Sequence, residues 1–210
     1  MIRRRRNAIE ARREWAASPL AKWVDSQTML AAITPRVARV IDLIELAPGR
    51  RYVDIGCGTK PFAELLAARA GLDEPPITFD LAPQPSRPDA LAWPENLPLR
   101  DESVDCLTSF YYLRRFDDDV VHGFGGELAR VLARGGSALV MEVAPVKSAF
   151  LNRVHTKLLS PGMEATDLRG WGRLAALFSE CGFDAIDLVN VGPFLVPPIP
   201  RVGVLLRRAP

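Results

Sequence analysis

The stretch that most constrains the fold of this chain is YVDIGCGTKPF, residues 52–62. It runs from a short apolar segment carrying Asp54 to two closely spaced glycines, Gly56 and Gly58, and then to a proline. A buried strand that enters a glycine turn and opens a helix is typical of parallel α/β sheets. Such a turn either serves only to reverse the chain or lets the backbone approach a bound ligand.

Length and composition favour one globular domain. The 210 residues are 48% hydrophobic and 25% charged, which is ordinary for a chain with its own core. No apolar run reaches the ~20 residues that span a bilayer, and the N-terminus lacks the apolar segment of a secretory signal. Cys57, Cys106 and Cys181 are an odd number without metal-like spacing, which indicates reduced thiols and a cytoplasmic protein.

The net charge of +2 is small but unevenly distributed, with a run of four arginines at Arg3 to Arg6. Such a run could bind phosphates or an acidic lipid surface, or be a solvated terminus. No zinc-finger or helix-turn-helix pattern follows it, so nucleic acid is not the expected partner.

Hydrophobic periodicity predicts a helical leader followed by alternating strands and helices. The leader runs from 7 to 45 with a break before Pro35. Strands are predicted at 52–55, 77–80, 104–109, 137–143, 185–189 and 202–206, and helices from 62 to 71, 118 to 132 and 171 to 181, with a proline-rich connection at 83–98. This alternation predicts an α/β fold with a mostly parallel sheet and helices on both faces. The last two strands lack a helix between them, which predicts an antiparallel hairpin at the sheet edge.

The glycine loop also predicts a ligand. Pro61 stands where a dinucleotide fingerprint needs its third glycine, which argues against NAD or FAD. Asp54 suits a cationic amino group, and Asp80, 22 residues after Gly58, can accept hydrogen bonds from ribose hydroxyls. A ligand with a ribose and an ammonium group is S-adenosylmethionine (SAM).

Four segments, VDIGCGT, FD, NLPLRDESVD and ELARVLARGGSALVMEV, resemble the successive motifs of class I SAM-dependent methyltransferases of type 11 over about residues 50 to 143. The resemblance implies a seven-stranded, Rossmann-like sheet of order 3-2-1-4-5-7-6 with SAM over the ends of the first strands. It divides the single domain into a helical leader or lid (1–48), a SAM-binding core (49–145) and an acceptor-side region with the terminal hairpin (146–210).

The resemblance assigns cofactor contacts to Asp54, Gly56, Cys57, Gly58, Asp80, Leu81, Trp93 and Ser109. Two positions depart from the family. Lys60 stands where many members have a third glycine, a variant similar to bacterial methyltransferases of carbohydrate pathways. Trp93 stands where an acidic residue usually binds adenine; it could stack on the base, or Asp89 could supply the acid instead.

Methyl transfer to a hydroxyl can use a general base. The candidates are His155, after the fifth strand, and His122, on the helix after the fourth; a carboxylate such as Glu142 or Asp118, or no base at all, are the alternatives. An acidic cluster that includes Asp118 could bind Mg²⁺ but favours a helix start, so no metal is expected.

Tyr111, Tyr112 and Arg114 are the candidate substrate-binding residues. Arg114 and Arg115 replace a His-His pair of relatives and could hold a carboxylate or phosphate, or be surface charge. Trp15, Trp23, Asp25 and Gln27 lie on the leader, which covers the cofactor in relatives or packs on the sheet edge instead; the segment GPFLVPPIP, 192–200, could shape the acceptor site or a homodimer contact.

The expected function is O-methylation of a small molecule by SAM, with a saccharide or sugar-bearing metabolite as the acceptor. A phenolic or quinone acceptor is the alternative within enzymes. A protein that binds SAM without turnover, as a scaffold, is the alternative outside them.

Overall fold

The structure is a computed structural model, and it describes residues 2–24, 26–58, 60–83, 88–159, 168–191 and 201–210. Three of the leader residues singled out above fall outside it: Asp25 as a whole, and the side chains of Trp15 and Gln27. The side chains of Arg3 to Arg6 and the segment 192–200 also lie outside the described part.

The leader consists of three helices, α1 (Ile2–Ala17), α2 (Pro19–Val24) and α3 (Gln27–Ile44). Ser26 caps α3 by accepting a hydrogen bond from the N–H of Met29, which satisfies one of the free donors of the first turn. The predicted break before Pro35 is wrong, because Pro35 lies inside α3. The apolar stripe that includes Ile33, Val37 and Val40 is buried along the whole helix, and this packing outweighs the lost backbone hydrogen bond.

Seven strands form one sheet. They are β1 (Tyr52–Ile55), β2 (Ile77–Asp80), β3 (Ala90–Leu91), β4 (Val104–Phe110), β5 (Leu132–Val143), β6 (Ala185–Val189) and β7 (Arg201–Arg207). Their order is β3-β2-β1-β4-β5-β7-β6. The first five run parallel, and β7 is antiparallel to both β5 and β6. The order and the terminal hairpin are confirmed.

Four helices follow the leader: α4 (Pro61–Ala70), α5 (Asp118–Val131), α6 (Ala149–Leu159) and α7 (Trp171–Phe178). The short strand β3, inside the proline-rich connection, and helix α6 had not been predicted. A 3₁₀ turn at Leu113–Arg115 follows β4. Among the described residues, none of the helices is both long and apolar enough to cross a membrane.

Alternate strand residues feed two cores, one on each face of the sheet. On one face Val140 packs with residues of α5 and α7 such as Leu128 and Phe178. On the other face Leu139 packs with α3 and α4. Helices therefore cover both faces. The carboxyl ends of β1 to β5 lie together at one edge because these strands run parallel.

Candidate active site

The loop between β1 and α4 forms one wall of the site. Gly56 and Gly58 have φ values of +78° and +61°, and Lys60 adopts a left-handed conformation with φ +71°. Left-handed backbone favours glycine, so a glycine in place of Lys60, as in many relatives, would suit this geometry. The ammonium of Lys60 instead binds Asp89, 2.9 Å away.

Gly56 has no room for a side chain, because the ring of Tyr112 lies against it. A Cβ at Gly56 would stand 2.5 Å from the ring of Tyr112, whereas one at Gly58 would meet only Arg12, at 3.5 Å. The ring of Tyr112 is fully buried and packs edge-on against Phe116. Tyr112 therefore supports the loop from the core side.

Asp54, at the end of β1, is a buried carboxylate that accepts one side-chain hydrogen bond from the described residues. The hydroxyl of Thr108 donates to it at 2.5 Å, and the same hydroxyl lies 2.7 Å from that of Tyr52. Burial raises the pKa of Asp54 to about 7, assisted by the nearby charge of Asp80 and opposed by the Thr108 hydrogen bond. Asp54 can therefore change its charge near neutral pH.

Asp80, at the end of β2, is fully buried but well supplied with donors. The backbone N–H groups of Gly58 and Leu81 donate to it at 3.0 and 2.7 Å. The guanidinium of Arg12, from α1, binds it through Nε at 2.8 Å and through Nη2. The same Nη2 also donates to the carbonyl of Gly56 at 3.2 Å.

Arg12 is itself buried, with 4% of its surface exposed. Burial lowers the pKa of Arg12, but the charge and hydrogen bonds of Asp80 outweigh this and the net shift is upward. An arginine 68 residues away in sequence thus neutralises Asp80.

A cavity of about 170 Å³ opens beside the loop and beneath α3. Apolar and aromatic side chains make up much of its lining: Met29, Leu30 and Ile33 of α3, Phe62 of α4, Phe110 of β4 and Met141 of β5. The polar part of the lining consists of Arg12, Asp54, Cys57, Tyr111 and Arg114, together with the two glycines of the loop. Burial strongly raises the pKa of the Cys57 thiol, which leaves it a weak nucleophile.

A cluster of arginines surrounds Tyr111 at the carboxyl end of β4. The Nε of Arg201 donates to the Tyr111 hydroxyl at 2.6 Å, and Arg114 donates to the Tyr111 carbonyl. Arg115 donates to the same carbonyl at 2.9 Å, while its buried Nε and Nη2 have no partner within the described ranges. Glu142 lies 3.9 Å from Arg114. Burial raises the pKa of Tyr111 to about 12, against the opposing effect of Arg201.

Six of the residues predicted to bind the cofactor or the substrate line this cavity. Of the predicted residues, it is lined by Asp54, Gly56, Cys57, Gly58, Tyr111 and Arg114. Asp80 and Leu81 lie directly behind the loop, linked to it by the hydrogen bonds described above. Ser109 is buried on β4, where it pairs with Val140 of β5, and its hydroxyl has no partner among the described residues.

Neither candidate histidine is among the residues that line the cavity. The Nδ1 of His122 lies 2.9 Å from the carbonyl of Leu177, at the contact between α5 and α7. His155, on α6, has a buried Nδ1 that finds no hydrogen-bond partner in the described part of the chain. Asp118 binds Arg169 and Arg173 near the start of α5. Glu142, the other carboxylate, is buried next to Arg114.

Trp93 lies outside this lining as well. Its indole N–H donates to Glu95 at 2.7 Å, and its ring stands edge-on to Phe116. Asp89, the alternative, accepts hydrogen bonds from the backbone and hydroxyl of Thr78 at 2.8 and 2.7 Å. Trp23, on the leader, is 39% exposed.

Sequence reasoning missed three contributors to this region: Arg12, Arg201 and the apolar face of α3. Arg12 stands in a basic helix that reads as surface charge, and Arg201 follows a proline-rich stretch. No local pattern marks either residue, because each reaches its partner only through the packing of distant elements.

Comparisons with known proteins agree with this geometry. Residues 53–140 match the family Methyltransf_11, described as a methyltransferase domain. No curated protein matches the chain.

Solved structures share the fold. A chain from the Haloferax volcanii complex of the Trm112 methyltransferase activator with a methyltransferase is 16% identical, with a TM-score of 0.68 and coverage of 94% of this chain and 97% of that one. The geranyl diphosphate C-methyltransferase of Streptomyces coelicolor A3(2) is 11% identical, with a TM-score of 0.67 and coverage of 97% of this chain and 98% of that one. Human N-acetylserotonin methyltransferase, solved in complex with SAM, is 16% identical, with a TM-score of 0.62 and coverage of 85% of this chain and 52% of that one.

At these identities the structural likeness concerns the fold, and the family match covers the glycine loop, Asp80 and the strands β1 to β5 up to residue 140. Residues 53–140 therefore form a methyltransferase domain of the Methyltransf_11 family, and the chain as a whole shares its fold with solved methyltransferases.

Proposed function

We propose that this methyltransferase transfers the methyl group of SAM to the hydroxyl of a small, largely apolar acceptor of the phenolic kind. The observation that carries the proposal is the lining of the cavity, in which six apolar or aromatic side chains from α3, α4, β4 and β5 face a few polar groups. Ligand pockets of this composition bind apolar molecules and orient them through those few polar groups.

The residues beside the cavity fit SAM. Asp80 and the carbonyl of Gly56 are acceptors that at present receive N–H groups from a guanidinium, so they suit a cationic or hydroxyl-bearing ligand. Asp80 would accept from the ribose hydroxyls, and Asp54 and the Gly56 carbonyl would face the ammonium. When bound, SAM supplies a methyl group on a sulfonium sulfur, which keeps the S–C bonding pair as the methyl passes to the acceptor oxygen.

A saccharide acceptor has less support. Each sugar hydroxyl that leaves water needs a hydrogen-bond partner. With Asp54 and the loop assigned to the cofactor, the lining leaves Tyr111 and Arg114 as the main polar groups for the acceptor. An aromatic acceptor with a single hydroxyl needs no more than that.

The acceptor hydroxyl must lose a proton, and cations near the cavity favour this step. A phenol has a pKa near 10, and a guanidinium within a few ångströms stabilises the phenolate. Arg114 is buried at the cavity wall. We therefore assign Arg114 the role of binding the acceptor oxygen as a phenolate, with the proton released to solvent water before the methyl group is transferred. His155 stays the candidate for a general base that would take this proton instead.

The test is a methylation assay on the purified protein with isotopically labelled SAM and two acceptor panels, simple phenols and naphthols against monosaccharides and sugar nucleotides. Mass spectrometry would detect the added methyl group. Turnover confined to the phenols supports the proposal, and turnover confined to sugars contradicts it.

Arg114→Gln should lower kcat for a phenol by about 10²-fold and shift the kinetic pKa of the reaction upward. Asp119→Asn, a substitution near the start of α5, serves as a control. A calorimetric titration with S-adenosylhomocysteine beside this assay addresses the scaffold alternative, since binding without turnover on either panel would favour it.

A further inference from the structure

We infer that α1 closes the cofactor site through Arg12, which makes the hydrogen bonds that SAM itself would make and must leave before SAM can bind. This inference deepens the proposed function only in how the cofactor enters, and it does not depend on the acceptor. It is carried by the contacts between Arg12 and the two acceptor groups of the glycine loop region.

The two acceptors that Arg12 occupies belong to the cofactor site. Asp80 receives two N–H groups of the guanidinium, and the carbonyl of Gly56 receives one. In a ligand with a ribose and an ammonium, the same carboxylate and carbonyl would be used. The guanidinium and the cofactor therefore cannot hold these groups at the same time.

A rotation of the Arg12 side chain alone would leave the guanidinium in the cavity that it lines. The residue is 4% exposed, and its neighbours on the same face of α1, Ala8 and Ala11, are each 4% exposed against the core. Release of the guanidinium from the site therefore requires α1 to lift from the core in which Ala8 is packed. Asp80 keeps two backbone donors when this happens, so the cofactor meets a preformed carboxylate site.

This competition has a thermodynamic consequence. If only a fraction of molecules has Arg12 displaced, the measured affinity for the cofactor is the affinity of the open site multiplied by that fraction. Removing the guanidinium abolishes the closed state and leaves Asp80 without its buried countercharge, which favours a cationic ligand further.

Calorimetric titration with S-adenosylhomocysteine tests this on three proteins. Arg12→Ala should bind at least about fivefold more tightly than the unchanged chain. The control is Arg13→Ala, which removes the exposed neighbouring arginine and should leave the affinity unchanged. Equal or weaker binding by Arg12→Ala overturns the inference, because Arg12 would then be neutral or a direct contact of the bound cofactor.

Hydrogen exchange on the unchanged protein provides a second test that needs no variant. Saturating S-adenosylhomocysteine should make the amides of α1 exchange faster, while those of β1 and β4 become more protected. Slower or unchanged exchange in α1 overturns the inference even if Arg12→Ala fails to fold.

A second inference rests on α6 and is independent of Arg12. We propose that α6 docks on an anionic lipid surface. Phe150, Leu151 and Val154 are 71%, 45% and 44% exposed, and at 3.6 residues per turn they fall within an arc of about 100°. Arg153 and Lys157, both exposed, border this arc on one side.

Charge complementarity selects the partner. Residues 143–159 contain three basic residues and no acidic one. An exposed apolar stripe bordered by Lys and Arg is the pattern of helices that lie in the interface of anionic membranes. The helix starts a few residues after β5, whose Met141 lines the apolar cavity, so docking would bring the cavity near lipid-dissolved acceptors.

Co-sedimentation of the full chain with phosphatidylcholine vesicles, with and without phosphatidylglycerol, tests this inference. Binding should require the anionic lipid. It should fall about tenfold or more in Phe150→Ser/Leu151→Ser and in Arg153→Gln/Lys157→Gln, but not in the control Leu188→Ser, which alters an equally exposed side chain on β6.

Three results would overturn the inference: no vesicle binding, binding that the α6 variants do not weaken, or a dimer in solution that these variants dissociate. The second result would indicate that another basic segment, such as Arg3 to Arg6, binds the vesicles. The third would make α6 an interface between two copies of the chain.

Discussion

Two buried carboxylates at the ends of neighbouring strands differ in how their charge is compensated. Asp80 has an arginine and two backbone donors. Asp54 has a single hydroxyl donor, and burial raises its pKa to about 7. Because Asp54 binds a proton more readily in the folded chain than in the unfolded chain, its ionisation costs stability.

The contribution of Asp54 to the free energy of unfolding should therefore be fully present below pH 3.8, its ordinary pKa, and be lost as the pH rises towards about 7. Urea denaturation of the unchanged chain and of Asp54→Asn at several pH values between 5 and 8 measures it. The stability difference between the two should move in favour of the Asn variant as the pH rises. Asp73→Asn, at an exposed position, is the control, and a pH-independent difference would contradict the assignment.

Gly56 offers a second test at the residue scale. Gly56→Ala places a Cβ 2.5 Å from the Tyr112 ring and should lower the free energy of unfolding by about 2–4 kcal/mol through strain and displaced packing. The matched control is Gly49→Ala, which has a similar φ of +81° but nothing within 4 Å of the new Cβ. Equal losses in the two variants would mean that only the backbone conformation matters and that the Tyr112 contact does not.

At the scale of elements, α3 continues through Pro35 because tertiary packing outweighs the tendency of proline to end a helix. Pro35 lies in the middle of the helix, where it removes one backbone hydrogen bond. The helix persists because residues on both sides of Pro35 share one buried face, including Ile33 and Val37.

Pro35→Ala should therefore raise the free energy of unfolding by about 1–2 kcal/mol, since the restored N–H outweighs the greater freedom of the unfolded chain. Pro61→Ala is the comparison, because Pro61 is the first residue of α4, where a missing N–H has no cost; its stability should stay the same or fall. Thermal denaturation followed by circular dichroism compares the two, and no gain for Pro35→Ala would show that the helix has already adapted to the proline.

At the scale of the whole molecule, β7 holds the C-terminal half of the sheet together. It pairs with β5 over seven residues and with β6 over five, and Val204 and Leu206 on it are fully buried. A strand inside a sheet satisfies the backbone of both neighbours.

Deleting residues 201–210 should therefore prevent cooperative folding, whereas deleting the exposed Pro210 alone should have little effect. The measurement is the urea transition followed by near-ultraviolet circular dichroism. A deletion variant that still unfolds in a sharp transition would show that the parallel strands β1 to β5 form a stable unit without β7.

Local signals in the sequence predict the glycine loop and the two acidic strand ends, namely the closely spaced Gly56 and Gly58 after a short apolar segment and acidic residues at the ends of apolar runs. The order of the strands came from the resemblance of four segments to type 11 methyltransferases, because strand periodicity does not specify which strands are neighbours. Sequence reasoning missed β3, which is two residues long, and α6, whose apolar residues are exposed rather than packed on the core.

The groups that contact the glycine loop and Asp80 could be identified only from the tertiary structure. Tyr112 fills the space at Gly56, Arg12 neutralises Asp80, and α3 supplies one wall of the cavity. Each of these contacts joins residues far apart in the chain. A buried charge pairs with the partner that tertiary packing brings near it, so the spacing of residues in the sequence does not predict the pair.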